Sequence, residues 1–202
     1  RPFSLIAIGG SSNGSILDGH NYTYVGSTWG KIVDILMTTK CMNPIIFIDE
    51  LDKISNTEHG KEIIGVLTHL VDTTQNDSFQ DKYFSGIPLD LSNVLFVFSY
   101  NDPNLVDRIL LDRIHRIKFD PLTIYEKITI STDFIIPELT KEINLFKKII
   151  FSDDVIRFII ESYTFESGVR KLKELFFEII NEINLMSLKS EEFEIPYVIT
   201  IK

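Results

Sequence analysis

A short apolar run that ends in acidic residues constrains this chain more than any other stretch. Residues 45–53 read IIFIDELDK. Four consecutive apolar residues predict a strand that is buried on both faces, because a half-exposed strand alternates apolar with polar residues. The strand ends in two adjacent carboxylates, Asp49 and Glu50. Since open α/β sheets bind ligands at the carboxyl edge, the stretch predicts an acidic site at such an edge.

This acidic ending has two interpretations. An apolar run followed by Asp-Glu is the Walker B pattern of nucleotide hydrolases, in which the Asp orients magnesium and the Glu orients the attacking water. The alternative is a core strand followed by a solvated turn. Residues 45–53 do not decide between the two, so the decision depends on the rest of the chain.

The surrounding sequence predicts an α/β protein with a parallel sheet, because strand and helix patterns alternate. Strands are predicted at 3–8, 45–49, 92–101 and 114–119, and helices at 31–39, 61–73 and 107–113. Neighbouring strands then bring Asp49, Glu50 and Asn101 to the same sheet edge. Asp120-Pro121 marks a boundary, since proline disfavours helix before it and lacks a donor for a sheet ladder.

After this boundary the pattern becomes helical. Apolar residues recur every three to four positions in 122–136, 153–163 and 167–188, with an interruption at Pro137 and a final strand at 197–201. We therefore predict an α/β core over residues 1–120 and an α-helical domain with a C-terminal strand over residues 121–202.

Composition limits the partners and the location. A chain of 202 residues with 44% hydrophobic residues can bury a sizeable core, and its net charge of −9 disfavours nucleic acid as the main partner. No apolar run approaches the roughly 20 residues of a membrane-spanning helix, so no membrane partner is expected. The single cysteine, Cys41, cannot form an internal disulfide. We expect a cytoplasmic location, with an organelle matrix as the alternative.

The segment from Ser11 to Gly30 is predicted to be a loop, because it is rich in Ser, Asn and Gly. It carries an aromatic-aliphatic pair, Tyr24-Val25, next to Gly26. On a mobile loop such a pair can act as a contact element, since glycine permits the conformations that present it. The alternative is that both side chains fold back onto the sheet.

Eight short segments follow one another in a specific order and spacing. They are IGG at 8–10, GH at 19–20, TYVG at 23–26, DELDK at 49–53, QNDSFQDKY at 75–83, LDLSNVLF at 89–96, LLDR at 110–113 and YTFESGVR at 163–170. Each segment alone is weakly specific. Together they resemble an AAA+ ATPase, and more closely the ATPase module of Lon-type proteases, over nearly the whole chain.

The resemblance implies roles for five residues around ATP and Mg²⁺. Asp49 would hold magnesium indirectly, and Glu50 would polarise the attacking water, since phosphoryl transfer depends on positioning and charge stabilisation. Asn101 is similar to sensor 1, Arg113 to the arginine finger that reaches a neighbouring subunit, and Arg170 to sensor 2. For each arginine, taken alone, the alternative is a surface ion pair.

The resemblance also implies partners and a function. Tyr24 and Val25 fall where Lon-like proteins carry the pore loop that grips unfolded polypeptide, and a Tyr ring packs against many side chains without needing a specific one. The expected partners are identical subunits in a ring, by resemblance a hexamer, and unfolded protein substrates. The expected function is coupling of ATP hydrolysis to unfolding and translocation of proteins.

The sequence departs from the family pattern in several places, among them Asp107 and Ile109, which stand where prolines commonly precede the arginine finger. Residues 1–202 contain no glycine-rich loop ending in Gly-Lys-Ser/Thr, which cradles phosphates. We therefore expect poor ATP binding and hydrolysis from these residues alone, as a fragment of a longer chain whose phosphate loop lies upstream. No Ser-Lys peptidase dyad can be assigned, so proteolysis is not predicted. Thr28-Trp29 replaces the Met-Pro that the family usually has.

Two other functions remain open at this point. A nucleotide-inactive AAA+ scaffold or ring partner would lack the phosphate loop altogether. A carboxylate-metal hydrolase would use Asp49, Glu50 and Asp52, although the four histidines are scattered along the chain and do not join these residues.

Overall fold

The computed structural model describes residues 1–9, 14–143, 149–189 and 196–201. Contacts divide the chain into two units, Arg1–Ile117 and Lys118–Lys202, and each is described by itself. Gly10 and residues 11–13, which belong to predicted motif and loop segments, lie outside the described residues. No helix of the described part is both long and apolar enough to cross a membrane.

A parallel three-stranded sheet forms the centre of the first unit, as the alternating pattern predicted. Its strands lie in the order β1 (Phe3–Ala7), β2 (Ile45–Asp49) and β5 (Leu95–Phe98). Phe3 pairs with Ile45, which in turn pairs with Leu95. The remaining elements of this unit are the helices α1 (Ser15–Asp18), α2 (Lys31–Thr39), α3 (Glu58–Val71) and α4 (Arg108–Leu111) and the short strands β3 (Phe79–Gln80) and β4 (Pro88–Leu89).

One face of this sheet forms the core. Side chains from β1 and β2 pack against apolar residues of the helices, because each helix has an apolar stripe with a period near 3.6. The fully buried members include Ile8, Ile46, Ile48, Ile32, Ile63, Leu67 and Leu70. The N-terminus of α3 is fixed by Thr57, whose side chain accepts a hydrogen bond from the amide of Gly60. This core supports the edge at which Asp49 ends β2.

The prediction that the strands are buried on both faces is wrong. Burial alternates instead within each strand: in β2, Ile46 and Ile48 are buried and their neighbours only partly so, and in β1, Ile6 is buried whereas Leu5 is 59% exposed. The core helices pack against the face that carries Ile46 and Ile48. The described residues leave the opposite face partly exposed, so apolar composition alone did not reveal which side was covered.

The prediction of a strand at 114–119 is also wrong, and β5 is shorter than the predicted 92–101. Residues 114–119 have no regular secondary structure, and Ile117 and Phe119 are largely exposed. A strand needs a neighbour to satisfy its backbone donors and acceptors. Within the described residues β5 pairs only with β2, and residues 114–119 do not pair with its other edge, so they form no strand.

The second unit is mainly helical, as predicted. Its elements are α5 (Ile124–Ile130), a π-helical turn (Ser131–Ile135), α6 (Ile136–Glu142), β6 (Ile149–Phe151), α7 (Asp153–Tyr163), α8 (Arg170–Lys189) and β7 (Tyr197–Ile199). Phe176, Leu172 and Ile156 are at the centre of its core. Ser152 caps α7 through the amide of Val155, and Thr123 and Glu126 form a capping box at α5.

Two details of this unit differ from the sequence-based expectation. Pro137 does not interrupt the helical segment, because the π-helical turn Ser131–Ile135 precedes it. Proline lacks an amide hydrogen and its ring crowds the carbonyl four residues earlier, and a wider turn relieves both problems. The strand β6, which pairs in parallel with β7, was not predicted. Three residues are too few to show a period.

The end of α2 offers a test of backbone strain. Lys40 follows the helix in the left-handed conformation, with φ 51° and ψ 36°. Glycine fits this position without a Cβ penalty. We expect Lys40→Gly to raise the free energy of unfolding by about 0.5–1 kcal/mol, measured by urea unfolding.

The control for this test is Lys61→Gly. Lys61 is exposed inside α3, where glycine should lower stability by about 1 kcal/mol. A loss of stability in both variants would contradict the strain assigned to Lys40.

Candidate functional site

Asp49 is held at the sheet edge by a residue of the neighbouring strand. The hydroxyl of Ser99, immediately after β5, donates a hydrogen bond to Oδ1 of Asp49. The amide of Glu50 donates to the same oxygen at 3.0 Å. Ser99 also joins the two strand ends through its backbone: its amide donates to Ile48 and its carbonyl accepts from Leu51, both at 3.0 Å. The Asp49 carboxylate is therefore oriented through Oδ1, and among the described residues its Oδ2 has no hydrogen-bond partner.

Glu50 has an unusual backbone conformation. It lies in the left-handed region, with φ 60° and ψ 47°, directly before a 3₁₀ turn at Leu51–Lys53. A residue with a side chain is strained there by about 1–2 kcal/mol. Such strain is typical of residues that a surrounding structure holds for a function.

The Glu50 carboxylate lies where a side chain at position 9 would be. A Cβ added at Gly9, beyond the end of β1, would lie 2.0 Å from Oε2 of Glu50 and 3.2 Å from its Cβ. Gly9 and Glu50 follow paired strands, so the close approach is a product of the sheet register. The side chain of Glu50 thus lies over the end of β1, beside Asp49.

Asp52 serves the fold rather than the exposed site. It is buried, and its Oδ2 accepts a hydrogen bond from the amide of Asp102 at 3.3 Å. Asp102 in turn caps the 3₁₀ turn Pro103–Leu105. Asp52 therefore ties the acidic turn to the segment that contains Asn101. Its Oδ1 is buried and has no hydrogen-bond partner among the described residues.

Asn101 is exposed and lies three residues beyond the end of β5, on the loop that Asp52 anchors. Because β5 pairs in parallel with β2, both loops leave the sheet at the same edge. The structure thus places Asn101 at the same edge as Asp49 and Glu50.

The side chains around Asp49 fit a magnesium ion only if water and substrate phosphates provide most of its ligands. Within the described residues there is no group of three or more His, Cys, Asp or Glu side chains that could hold a metal ion. Magnesium in phosphoryl-transfer sites commonly keeps several waters and binds through one or two carboxylates plus substrate phosphates. The oriented Asp49 carboxylate fits that mode, whereas a protein cage built from Asp49, Glu50 and Asp52 does not exist here.

Arg113 is engaged within its own unit. Its Nε donates to Oδ2 of Asp72 at 3.1 Å, and its Nη1 donates to the carbonyl of Ile109 at 3.1 Å. Two hydrogen bonds from Thr74, together with the one from Arg113, lower the pKa of Asp72 to about 2, so the carboxylate is ionised at neutral pH. The described structure does not bond Arg113 to the acidic pair.

Arg170 begins α8 in the second unit. Its side chain is largely exposed, and its Nε lies 4.0 Å from Oε1 of Glu174. The carboxylate of Glu166 caps this helix by accepting hydrogen bonds from the amides of Lys171 and Leu172 at 3.0 and 2.9 Å. Arg170 is therefore a lightly constrained cation at a helix start.

The structure places Tyr24 and Val25 at the tip of a loop between α1 and α2. Tyr24 is 66% exposed and Val25 is fully exposed. Local hydrogen bonds shape the tip: the amide of Tyr24 donates to Asn21, and the amide of Ser27 donates to the carbonyl of Tyr24. Neither side chain folds back onto the sheet, so the pair is available to a partner.

The family is identified by comparison with known proteins. The model of the ATPase family associated with various cellular activities, AAA, matches residues 4–122. The chain belongs to this family. The Lon protease AAA+ ATPase lid domain matches residues 141–193 of the same chain. The AAA α/β core and the helical lid are thereby confirmed, and membership of the AAA family implies nucleotide binding.

The relatives of this AAA module are Lon proteins. A Lon protease homolog of Acanthamoeba polyphaga mimivirus is 41% identical over 91% of the chain and 18% of that protein. The Lon protease of Clostridium acetobutylicum is 38% identical over 91% of the chain and 24% of that protein. The mitochondrial Lon protease homolog of Drosophila melanogaster is 34% identical over 97% of the chain and 19% of that protein. The module is therefore of the Lon type, and it spans about a fifth of the length of these relatives.

Sequence reasoning missed two residues that shape the acidic site of the AAA module. Ser99 precedes Asn101 by two positions, and its location at the end of a predicted strand was a signal that could have found it. Gly9 was interpreted only as a strand stop. Its contact with Glu50 depends on the pairing of β1 with β2, which a single sequence does not provide.

Proposed function

We propose that this Lon-type AAA+ module binds ATP with Mg²⁺ and, in its complete chain, couples ATP hydrolysis to the unfolding and translocation of protein substrates. The observation that carries the proposal is the oriented pair Asp49–Glu50 at the carboxyl edge of the sheet. We further propose a ring of identical subunits, with six as the family expectation. A cytoplasmic or organelle-matrix location is part of the proposal, supported by the mitochondrial relative.

In this proposal the acidic pair divides the work of hydrolysis. Asp49 would hold Mg²⁺ indirectly through Oδ2, while Ser99 and the Glu50 amide fix its Oδ1. Mg²⁺, when bound, neutralises charge on the phosphates. Glu50 polarises the attacking water from its position over Gly9. Asn101, at the same edge, holds that water from the neighbouring strand.

The two arginines act on charge at the γ-phosphate. Arg113 serves as an arginine finger for the neighbouring subunit. To do so, its guanidinium leaves Asp72 and contacts the γ-phosphate instead. Arg170, a lightly constrained cation at the start of α8, serves as sensor 2. Positive charge near the phosphates stabilises the transition state, because charge is spread over the equatorial oxygens there.

Gly9 provides a test of the position assigned to Glu50. We expect Gly9→Ala to reduce ATP turnover by the complete protein by about 10–100-fold, because the new methyl group takes the space of Oε2 and displaces the carboxylate. Steady-state ATP hydrolysis measures the effect. Gly65→Ala is the control, since a Cβ at Gly65 meets no atom within 4 Å. Equal turnover in both variants would contradict the close approach of Glu50.

The exposed loop provides the experiment that tests the proposed function. We expect Tyr24→Ala in the complete protein to slow the unfolding of a folded fluorescent substrate by about tenfold or more, because the main grip on the polypeptide is lost. Tyr22→Ala is a matched control, since Tyr22 is equally exposed on the same loop. Unfolding at the normal rate by the Tyr24 variant would remove the pore-loop assignment.

A further inference from the structure

We propose that the segment Asp81–Phe84, here called the buttress, is a positioning element for the loop Gly19–Gly30. It fixes both ends of the loop, and thereby the place at which Tyr24 and Val25 are presented. This inference rests on the proposed function, because it names what positions the polypeptide-gripping pair. The buttress follows β3, more than fifty residues after the loop, so the sequence does not reveal the connection.

A buried carboxylate ties the buttress to the C-terminal end of the loop. Asp81 is 0% exposed. Its Oδ2 accepts a hydrogen bond from the amide of Gly30 at 2.8 Å, and its Oδ1 accepts one from the amide of Tyr83 at 2.8 Å. A buried carboxyl group needs such partners, because burying a polar group without hydrogen bonds in an apolar environment is strongly unfavourable. Asp81 thus stabilises the loop end and its own segment together.

A second connection holds the residue before the loop. The backbone amide of Lys82 donates to the carbonyl of Asp18 at 2.7 Å. The Lys82 ammonium also lies 2.9 Å from Oδ2 of Asp18, and Asp18 is a buried residue. Burial raises the pKa of Asp18, and the Lys82 contacts oppose that rise. Consecutive buttress residues therefore anchor the two ends of the same loop.

The two glycines at the ends of the loop, Gly19 and Gly30, have no room for a side chain. Gly19 has φ +78°, and a Cβ there would lie 2.9 Å from Oδ1 of Asp81 and 2.9 Å from the amide nitrogen of Gly30. A Cβ at Gly30 would lie 2.0 Å from the carbonyl oxygen of Leu17. The amide of His20 donates to the carbonyl of Thr28 at 3.0 Å and closes the base of the loop. By contrast, a Cβ at Gly26, near the tip, meets nothing within 4 Å.

An aromatic cluster covers this junction. Trp29 meets Tyr83 edge-on with ring centroids 5.8 Å apart and stacks on Phe84 at 6.1 Å. Tyr83 and Phe84 contact each other edge-on at 5.1 Å. Trp29 is the only tryptophan of the chain. Aromatic pairs of this geometry add attraction beyond the area that they bury.

The loop tip depends on this base for its position. Its described backbone hydrogen bonds are local, from Tyr24 to Asn21 and from Ser27 to Tyr24. These bonds shape the tip but do not connect it to the core. The base of the loop is connected to buried structure through Asp81, Lys82 and the aromatic cluster, and also through the 2.9 Å hydrogen bond between His20 and the buried Ser15. Movement of the buttress would therefore displace the loop that carries Tyr24 and Val25.

The experiment compares four variants of the complete protein: Trp29→Ala, Trp29→Phe, Asp81→Asn and the control Asp90→Asn. Asn at position 81 keeps the shape but replaces one acceptor with a donor that faces an amide. Asp90 is exposed and accepts a hydrogen bond from the amide of Ser92. Hydrogen exchange of peptides covering 20–28 is the first readout. Unfolding of a folded fluorescent substrate and ATP hydrolysis are the second and third.

We expect Trp29→Ala and Asp81→Asn to speed exchange in 20–28 by about tenfold, because the local opening free energy of the loop falls. The same variants should slow substrate unfolding about fivefold or more, since misplaced contact groups lose efficiency steeply. Trp29→Phe, which keeps a ring, and Asp90→Asn should stay near wild type in both. Should Asp81→Asn fail to assemble, the comparison of Trp29→Ala with Trp29→Phe decides.

A double-variant test separates positioning from a general loss of structure. In a background that carries both Tyr24→Ala and Val25→Ala, Trp29→Ala should cause no further loss of unfolding rate, because it acts through these two residues. An additive loss, or unchanged exchange in 20–28, would overturn the inference. Normal unfolding by Tyr24→Ala alone would instead overturn the proposed function, while the exchange experiment would still report whether the buttress holds the loop.

Discussion

Replacing Glu50 with Gln in the complete protein is expected to lower ATP turnover by about 10²-fold or more while ATP binding stays within a few-fold of normal. The amide has the shape of the carboxylate and fits the space over Gly9. It cannot polarise the attacking water or accept its proton, so the loss falls on the chemical step. Turnover is measured as steady-state phosphate release, and binding with a fluorescent ATP analogue.

Glu58→Gln is the control for this experiment. Glu58 is an exposed carboxylate in the first turn of α3, and its neutralisation removes the same charge without touching the acidic pair. Hydrolysis by Glu50→Gln at the wild-type rate would remove the role given to Glu50. Loss of ATP binding together with hydrolysis would point to a collapsed acidic turn instead of a missing base.

Replacing Arg113 with Ala is expected to reduce turnover by about 10³-fold, because an arginine that reaches the γ-phosphate neutralises charge that grows in the transition state. In the described structure the guanidinium is held by Asp72 and by the carbonyl of Ile109. Arg108→Ala is the control, since Arg108 is an exposed arginine of α4, the short helix that ends two residues before Arg113. Normal turnover by Arg113→Ala would favour the alternative, a surface ion pair.

A mixing experiment asks whether Arg113 acts on its own subunit or on a neighbour. Arg113→Ala subunits keep Glu50, and Glu50→Gln subunits keep Arg113. If the finger acts between subunits, some sites in mixed rings combine an intact Glu50 with an intact Arg113, and part of the hydrolysis returns. If the finger acts within one subunit, mixing the two inactive variants restores nothing.

The parts of the fold that follow from local pattern could be predicted from the sequence. The bounds of α2 and α7 agree with the predicted helices, because the apolar period specifies both locally and Ser152 caps the start of α7. The edge location of Asp49, Glu50 and Asn101 followed from the order of parallel strands. These features depend on short windows of sequence and on one topological rule.

The parts that depend on long-range packing could not be predicted. Which face of β2 is covered, and whether 114–119 joins the sheet, are decided by neighbours and not by the apolar residues themselves. The contact between Gly9 and Glu50 requires the register of β1 with β2, and the contact between Asp81 and Gly30 spans 51 residues. A local pattern of apolar residues does not show which distant residues come into contact.

The left-handed backbone at Glu50 has a consequence for any attempt to stabilise this protein. Glycine or asparagine would suit that backbone better than glutamate, so a screen that rewarded heat resistance alone would favour losing the carboxylate. At position 50, therefore, the residue that suits the proposed hydrolysis is not the residue that would give the most stable fold. An engineer should hold position 50 fixed and seek gains elsewhere, for example at Lys40, where the same strained geometry has no assigned chemical role.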